Sequence, residues 1–88
     1  MNISTKHKER RYSTSSFYPS CYLIAKGMHL IEIDKTRPRY AFIFEDVPER
    51  EKLLQDFGFA PDNDPAVLVD SRRMVTAIKF LKEKLYQD

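Results

Sequence analysis

Two glycines in 88 residues leave little room for a glycine-rich loop that would cradle a phosphate. Tryptophan is absent, and Cys21 is the only cysteine, which excludes an internal disulfide and any CxxC metal pair. A lone thiol fits a reducing cytoplasm, the expected location. No uninterrupted apolar run exceeds five residues, the length of Tyr40 to Phe44, far short of the roughly 20 that span a bilayer. No apolar stretch follows the first charges, so a secretory signal is not expected. There is no HExxH motif, and only two histidines are present.

What remains is an ordinary single-domain composition. Hydrophobic residues make up 42% and charged residues 32%, enough apolar material for one modest core. The net charge of +2 is unevenly placed. Residues 1–11 hold Lys6, Lys8, Arg10 and Arg11 against Glu9, a sum of +3, so the other residues carry −1. Residues 1–11 lack apolar periodicity and read as a disordered basic tail. Such a tail is either a solvated end or an arm that adds sequence-independent attraction to phosphates. Residues 12–88 read as one α+β domain.

Tyr12 is a candidate short strand. With Ser16 as N-cap, a helix over Phe17 to Lys26 places Pro19 at its third position, where a missing N–H breaks no helical bond. Gly27 then falls where a left-handed residue ends the helix. Phe17, Cys21, Ile24 and Ala25 lie along one face, with Tyr18 and Tyr22 beside them. Two apolar runs, Met28 to Ile33 and Tyr40 to Phe44, flank Lys35-Thr36-Arg37-Pro38-Arg39 and predict a β-hairpin with a cationic tip. The second run is apolar on both faces, so it is either covered twice or central. In the first, strict alternation sets Leu30 with Glu32 and Asp34, and Ile31 with Ile33.

Asp46-Val47-Pro48-Glu49 predicts a second helix with Asp46 as cap, Glu49 closing a capping box, and Gly58 as its stop. Its inward stripe is Leu53, Leu54 and Phe57. A loop spans Phe59 to Pro65, and Val67 to Val69 is either a short strand or a lead-in. Asp70 caps the longest helix, about Ser71 to Tyr86, whose stripe of Met74, Ile78, Leu81 and Leu85, with Val75 and Ala77, is the strongest periodic signal. The expected fold is α+β: a small antiparallel hairpin or sheet packed against three helices.

The strings Tyr12-Ser13-Thr14-Ser15-Ser16-Phe17-Tyr18, Tyr22-Leu23-Ile24-Ala25-Lys26-Gly27, Val69-Asp70-Ser71-Arg72-Arg73 and Ala77-Ile78-Lys79 resemble a family of short bacterial and phage proteins known as a domain of unknown function. The similarity covers about Tyr12 to Tyr86. It implies a small stand-alone α+β unit, often associated with phages or mobile elements, and transfers no catalytic residues. Pro19 within the first helix and the long Phe59–Pro65 loop depart from the pattern.

Constellations for catalysis are scarce, and no enzymatic activity is expected. His7 falls in the tail and His29 opens a strand; a hydrolytic centre would need His29 gathered with Glu32 or Glu45. Cys21 sits on an inner helix face, where it behaves as a small hydrophobe. Asp62-Asn63-Asp64 begins like a calcium loop but lacks its glycine and bidentate glutamate. No metal, cofactor or small-molecule substrate is expected. The tyrosines either offer stacking faces or fill a tryptophan-free core, and core is the favoured reading. The remaining signal is cationic: Lys6, Lys8, Arg10 and Arg11 in the tail, Lys35, Arg37 and Arg39 at the tip, and Arg72 and Arg73 in the last helix's first turn, where they oppose its dipole. The expected function is DNA or RNA binding through tail and tip, extended by Arg72 and Arg73. The alternative is a protein-interaction module or phage accessory factor, with a homodimer joined at a sheet edge as one form of it. Convergence of Arg37, Arg39, Arg72 and Arg73 on one face would favour the first, and their scatter would count against it.

Overall fold

The computed structural model describes residues 10–87. Its order is β1 (Arg11–Thr14), α1 (Phe17–Ala25), β2 (Leu30–Asp34), β3 (Ala41–Glu45), α2 (Arg50–Phe59) and α3 (Ser71–Leu85). The fold is α+β, with three helices, a three-stranded antiparallel sheet and the longest helix at the C-terminal end. The strand order β1-β3-β2 places β3 centrally, which accounts for its apolar character on both faces. The strand at Tyr12 supplies the third member that a lone hairpin would need. Residues 67–69 form no strand.

Register decides which side chains enter the core. Tyr12 and Leu30 flank Phe44, and Thr14 and Ile33 flank Phe42. Strict alternation in β2 would separate Leu30 from Ile33. A bulge between Leu30 and Glu32 inserts one extra residue, so both aliphatic side chains pack inward and Glu32 and Asp34 turn outward. The outer face carries Arg11, Ser13, Glu32 and Glu45, all exposed, around half-buried Ile43. Arg11 reaches across β3 to Glu32 at 3.5 Å.

α1 is the hub. Its stripe was expected on one side, yet Ser20, Cys21, Tyr22, Leu23 and Ala25 are all buried. A helix buried around most of its circumference must touch several neighbours. Cys21 and Leu23 join Phe42, Phe44, Ala77 and Leu81 in the core, while the Tyr22 ring lies 4.7 Å from that of Phe57 on α2. The Ser20 hydroxyl is buried without penalty because it donates to the Ser16 carbonyl at 2.7 Å. Ser16 occupies the N-cap without a side-chain cap bond. At the other end Gly27 adopts φ +106°, and the Gly27 and Met28 N–H groups donate to Ile24 and Leu23 carbonyls. That pair of bonds closes a Schellman motif, with Met28 buried as its hydrophobic contact.

α2 begins later than expected. Its N-cap is Glu49, and no capping box forms. The Asp46 carboxylate instead accepts from the Val47 N–H and from the Arg50 guanidinium at 3.1 Å. A charged donor outcompetes distant helix amides for the same oxygen atoms. The helix continues through Gly58 to Phe59, has no fully buried residue, and leaves Phe59 85% exposed. α3 starts where the sequence predicts: Asp70 accepts from the Arg72 and Arg73 N–H groups. Ala77 and Leu81 are buried, Met74, Ile78 and Leu85 pack beside them, and Val75 is half exposed rather than inward.

Candidate nucleic-acid interface

The hairpin tip is built around Asp34. Its carboxylate accepts from the Thr36 N–H at 3.0 Å and the Thr36 hydroxyl at 2.6 Å, and it pairs with Arg37 at 3.5 Å. These bonds hold the Asp34 carboxyl below the usual carboxylate range, the Thr36 hydroxyl contributing most. Lys35 turns away from the tip and donates to the Lys84 and Gln87 carbonyls at the end of α3. Helix C-termini leave carbonyls unpaired and carry partial negative charge, so an ammonium there is a structural staple. Two of the three tip cations therefore serve the turn or the helix end. Arg39 is exposed and makes no ion pair among the described residues.

Arg72 and Arg73 lie at the opposite end of α3. Twelve residues separate Arg72 from Lys84, about 18 Å of helix at 1.5 Å per residue. Tip and arginine pair thus bracket α3 without converging. Arg10 and Arg11 belong to the folded domain rather than a tail: the Arg10 carbonyl accepts from the Asp46 N–H, and Arg11 opens β1. Lys6 and Lys8 lie outside the described residues.

Between the two ends runs a surface that linear reading of the sequence does not single out. Arg72, Arg73, Lys79, Lys82 and Lys84 are all exposed on α3, with Glu83 as the only acid from Ser71 to Tyr86. At 3.6 residues per turn, Arg72, Lys79 and Glu83 lie farthest from the core. Lys82 flanks them on one side, and Arg73, Phe80 and Lys84 form a stripe on the other. Arg72 stands 4.0 Å from Asp70 with its side chain 94% exposed. The other four cations take part in no ion pair among the described residues. Apart from Asp70 at its N-cap, acids gather outside α3: residues 45–64 hold seven of them against Arg50 and Lys52.

A groove of about 570 Å³ opens between α1 and α3 beside this surface. Ile24 and Ala25 form one wall, Thr76, Ala77 and Phe80 the other, and Asp70, Arg72 and Arg73 its end. The Phe80 ring is 38% exposed, with Lys84 Nζ 5.4 Å from its centre. The loop leading into α3 is tied to α1 by the Tyr22 hydroxyl, which donates to the Ala66 carbonyl, and by Lys26, which donates to that of Leu68.

The other candidate chemistry separates into parts. His29 shares a cleft of about 540 Å³ with Glu45 and Glu49, and its carbonyl accepts from the Glu45 N–H at 3.0 Å, but no ion pair links its imidazole to either carboxylate. Glu32 does not border that cleft; it pairs with Arg11. Cys21 is fully buried, and burial pushes its thiol up to about 11, the opposite of nucleophile activation. No group of three or more His, Cys, Asp or Glu side chains is poised for a metal among the described residues. The Asp64 carboxylate accepts from the Ala66 N–H within its own loop. Tyr22 is core and Tyr12 packs against it beneath Arg50, whose guanidinium lies 4.1 Å from the ring centre, whereas Tyr18 and Tyr40 are exposed. Among the described residues no helix is long and apolar enough to cross a membrane.

Residues 9–87 match the family model described as a domain of unknown function, DUF5659. No curated protein and no solved structure shows a significant match. The match covers nearly the whole chain, and the chain belongs to the DUF5659 family.

Proposed function

We propose that this DUF5659 member is a non-enzymatic nucleic-acid-binding protein that meets the phosphate backbone with the exposed face of α3 rather than with the hairpin tip. The observation that carries this reading is the five-to-one excess of cations on α3, four of them without an ion-pair partner among the described residues. Backbone contacts need unpaired, solvent-facing cations along a rigid element, and a packed helix supplies that. Lys35 adds charge at the far end while stapling α3 in place. The same reading sets the protein, whether bacterial or phage-encoded, in the bacterial cytoplasm, where nucleic acid is met and a lone thiol stays reduced.

Fluorescence anisotropy with labelled DNA and RNA tests it. Affinity should fall steeply between 50 and 200 mM salt, with a logarithmic slope near −3.5 for single strands if all five cations engage, taking about −0.7 per phosphate. Absence of binding to every nucleic acid at low salt refutes the reading. A second reading, protein association, is favoured by one observation: residues 45–64 form an acidic counterpart to α3, with Phe59 exposed among Glu51, Asp56 and Asp64. Head-to-tail pairing of such surfaces would appear in sedimentation as salt-sensitive oligomers, and a monomer at high concentration and low salt removes it.

A further inference from the structure

Resting on the proposed basic face of α3, we propose that the groove between α1 and α3 takes an unpaired nucleobase, so that the ligand is single-stranded nucleic acid rather than duplex. The groove lining is apolar at Ile24 and Ala25 on the α1 wall and at Ala77 on the α3 wall, where it is joined by the partly exposed Phe80 ring. An aromatic face beside an apolar lining is a stacking platform, and every base has a π-face to offer it. A volume of about 570 Å³ lies within the 300–1,000 Å³ range of small-ligand clefts. Duplex DNA keeps its bases paired and stacked inside, so it would leave this groove empty.

Charge supplies the second half. Arg72 and Arg73 line one end of the groove, and Lys84, one turn beyond Phe80 on α3 and outside the lining, holds its ammonium 5.4 Å from the ring centre. A strand lying along α3 would thus have cations for the phosphates on both sides of the base held between them. Asp70 also borders the groove. Its carboxylate is occupied by the Arg72 and Arg73 N–H groups and by the nearby Arg72 guanidinium, which offsets its charge toward a phosphate. The neighbouring clefts lack this pairing of aromatic wall and cations. The cleft at Phe59 is edged by Glu51, Asp56 and Asp64, and its one cation, Lys52, is paired with Asp56; the one at His29 has no aromatic wall apart from the imidazole.

The absence of tryptophan allows a direct test. Phe80→Trp retains an aromatic wall and installs the only indole in the chain, whose emission a stacked base quenches. Anisotropy is measured with an unstructured 20-nucleotide DNA, its duplex and poly-glutamate in low salt, with far-ultraviolet circular dichroism to verify folding. The expected result is preference for the single strand and quenching of Phe80→Trp by it but not by duplex. Phe80→Ala should lose about 5- to 150-fold on the single strand, the range of one base–aromatic stack, with little loss on duplex. Equal affinity for duplex, or unchanged Trp emission at saturating single strand, overturns the groove assignment while leaving the basic face intact. Poly-glutamate binding as tightly as the single strand reassigns the surface to an acidic protein. No binding of any of the three overturns the basic-face reading itself.

Discussion

Neutralising Arg72 and Arg73 together should weaken nucleic-acid binding far more than neutralising Arg37 and Arg39 together. The two pairs carry equal formal charge and lie at opposite ends of α3, so they separate location from charge. If each arginine at the groove engages one phosphate of a single strand, Arg72→Gln/Arg73→Gln removes about 1.4 from the logarithmic salt slope. Referred to 1 M salt, where the electrostatic contribution vanishes, that amounts to about 25-fold at 0.1 M. Glutamine keeps the stem packing and helix propensity, and Asp70 still caps the same backbone N–H groups, so stability should change little. Arg37 already pairs with Asp34, and only Arg39 stands unpaired among the described tip residues. The tip variant should therefore change the slope by no more than about 0.7. The assay is anisotropy of a labelled single strand from 25 to 200 mM salt, with urea denaturation as control. An equal loss from both variants means only global charge matters. A larger loss from the tip variant refutes the assignment of binding to α3.

Leu81 is fully buried in the core cluster, so Leu81→Ala should cost about 2–5 kcal/mol, seen as a lower urea midpoint at unchanged slope; a loss under 1 kcal/mol would contradict the packing described. Cys21, with its thiol at about 11 and no exposed surface, should react with a thiol reagent at neutral pH only as fast as the chain opens, and stoichiometric labelling within seconds in native buffer would refute its burial. Asp46 is held below its ordinary pKa of 3.8, chiefly by its hydrogen bond from Arg50. The unfolded chain therefore takes up that proton first, and the contribution of Asp46 is present above pH 3.8 and lost as pH falls through the lower folded value. Asp46→Asn should flatten the acid limb of stability below about pH 5, and an unaltered limb would refute the pairing.

Periodic signals were legible in the sequence where one neighbour decides burial. α3 presents a single stripe to a single core, and its start at Asp70 and its inward Ala77 and Leu81 follow from spacing alone. α1 touches several elements, so Leu23 is as buried as Cys21 although it lies off the expected stripe. The hairpin was legible from its flanks, but the bulge at Ile31 was not, because it depends on a long-range demand that both Leu30 and Ile33 face the helices. The α2 cap failed for a similar reason. Asp46 has the local pattern of a capping box, but Arg50 one turn later competes for it with a full charge, and the Tyr12 ring at 4.1 Å holds that guanidinium in place.

The basic face of α3 is invisible in a charge summed over the chain. A body charge of −1 reads as neutral, yet it joins a strongly acidic stretch, residues 45–64, to a helix with five cations and one acid. Fields at a surface follow local density within about a Debye length, near 10 Å at 0.1 M salt, and not the sum over the chain. The five cations on α3 span about 18 Å, and each lies within about 10 Å of axial rise of the next, so neighbouring cations reinforce one another along the helix. The same 3.6-residue period that identifies the inward stripe therefore identifies its complement, and five charges scattered over 13 positions wrap an arc of about 200° around the solvent side of α3, with Arg72 and Lys79 at its centre. A cationic cluster confined to a turn has no such amplification: at the hairpin tip Asp34 holds Arg37 and the end of α3 takes Lys35, leaving Arg39 alone to meet a ligand.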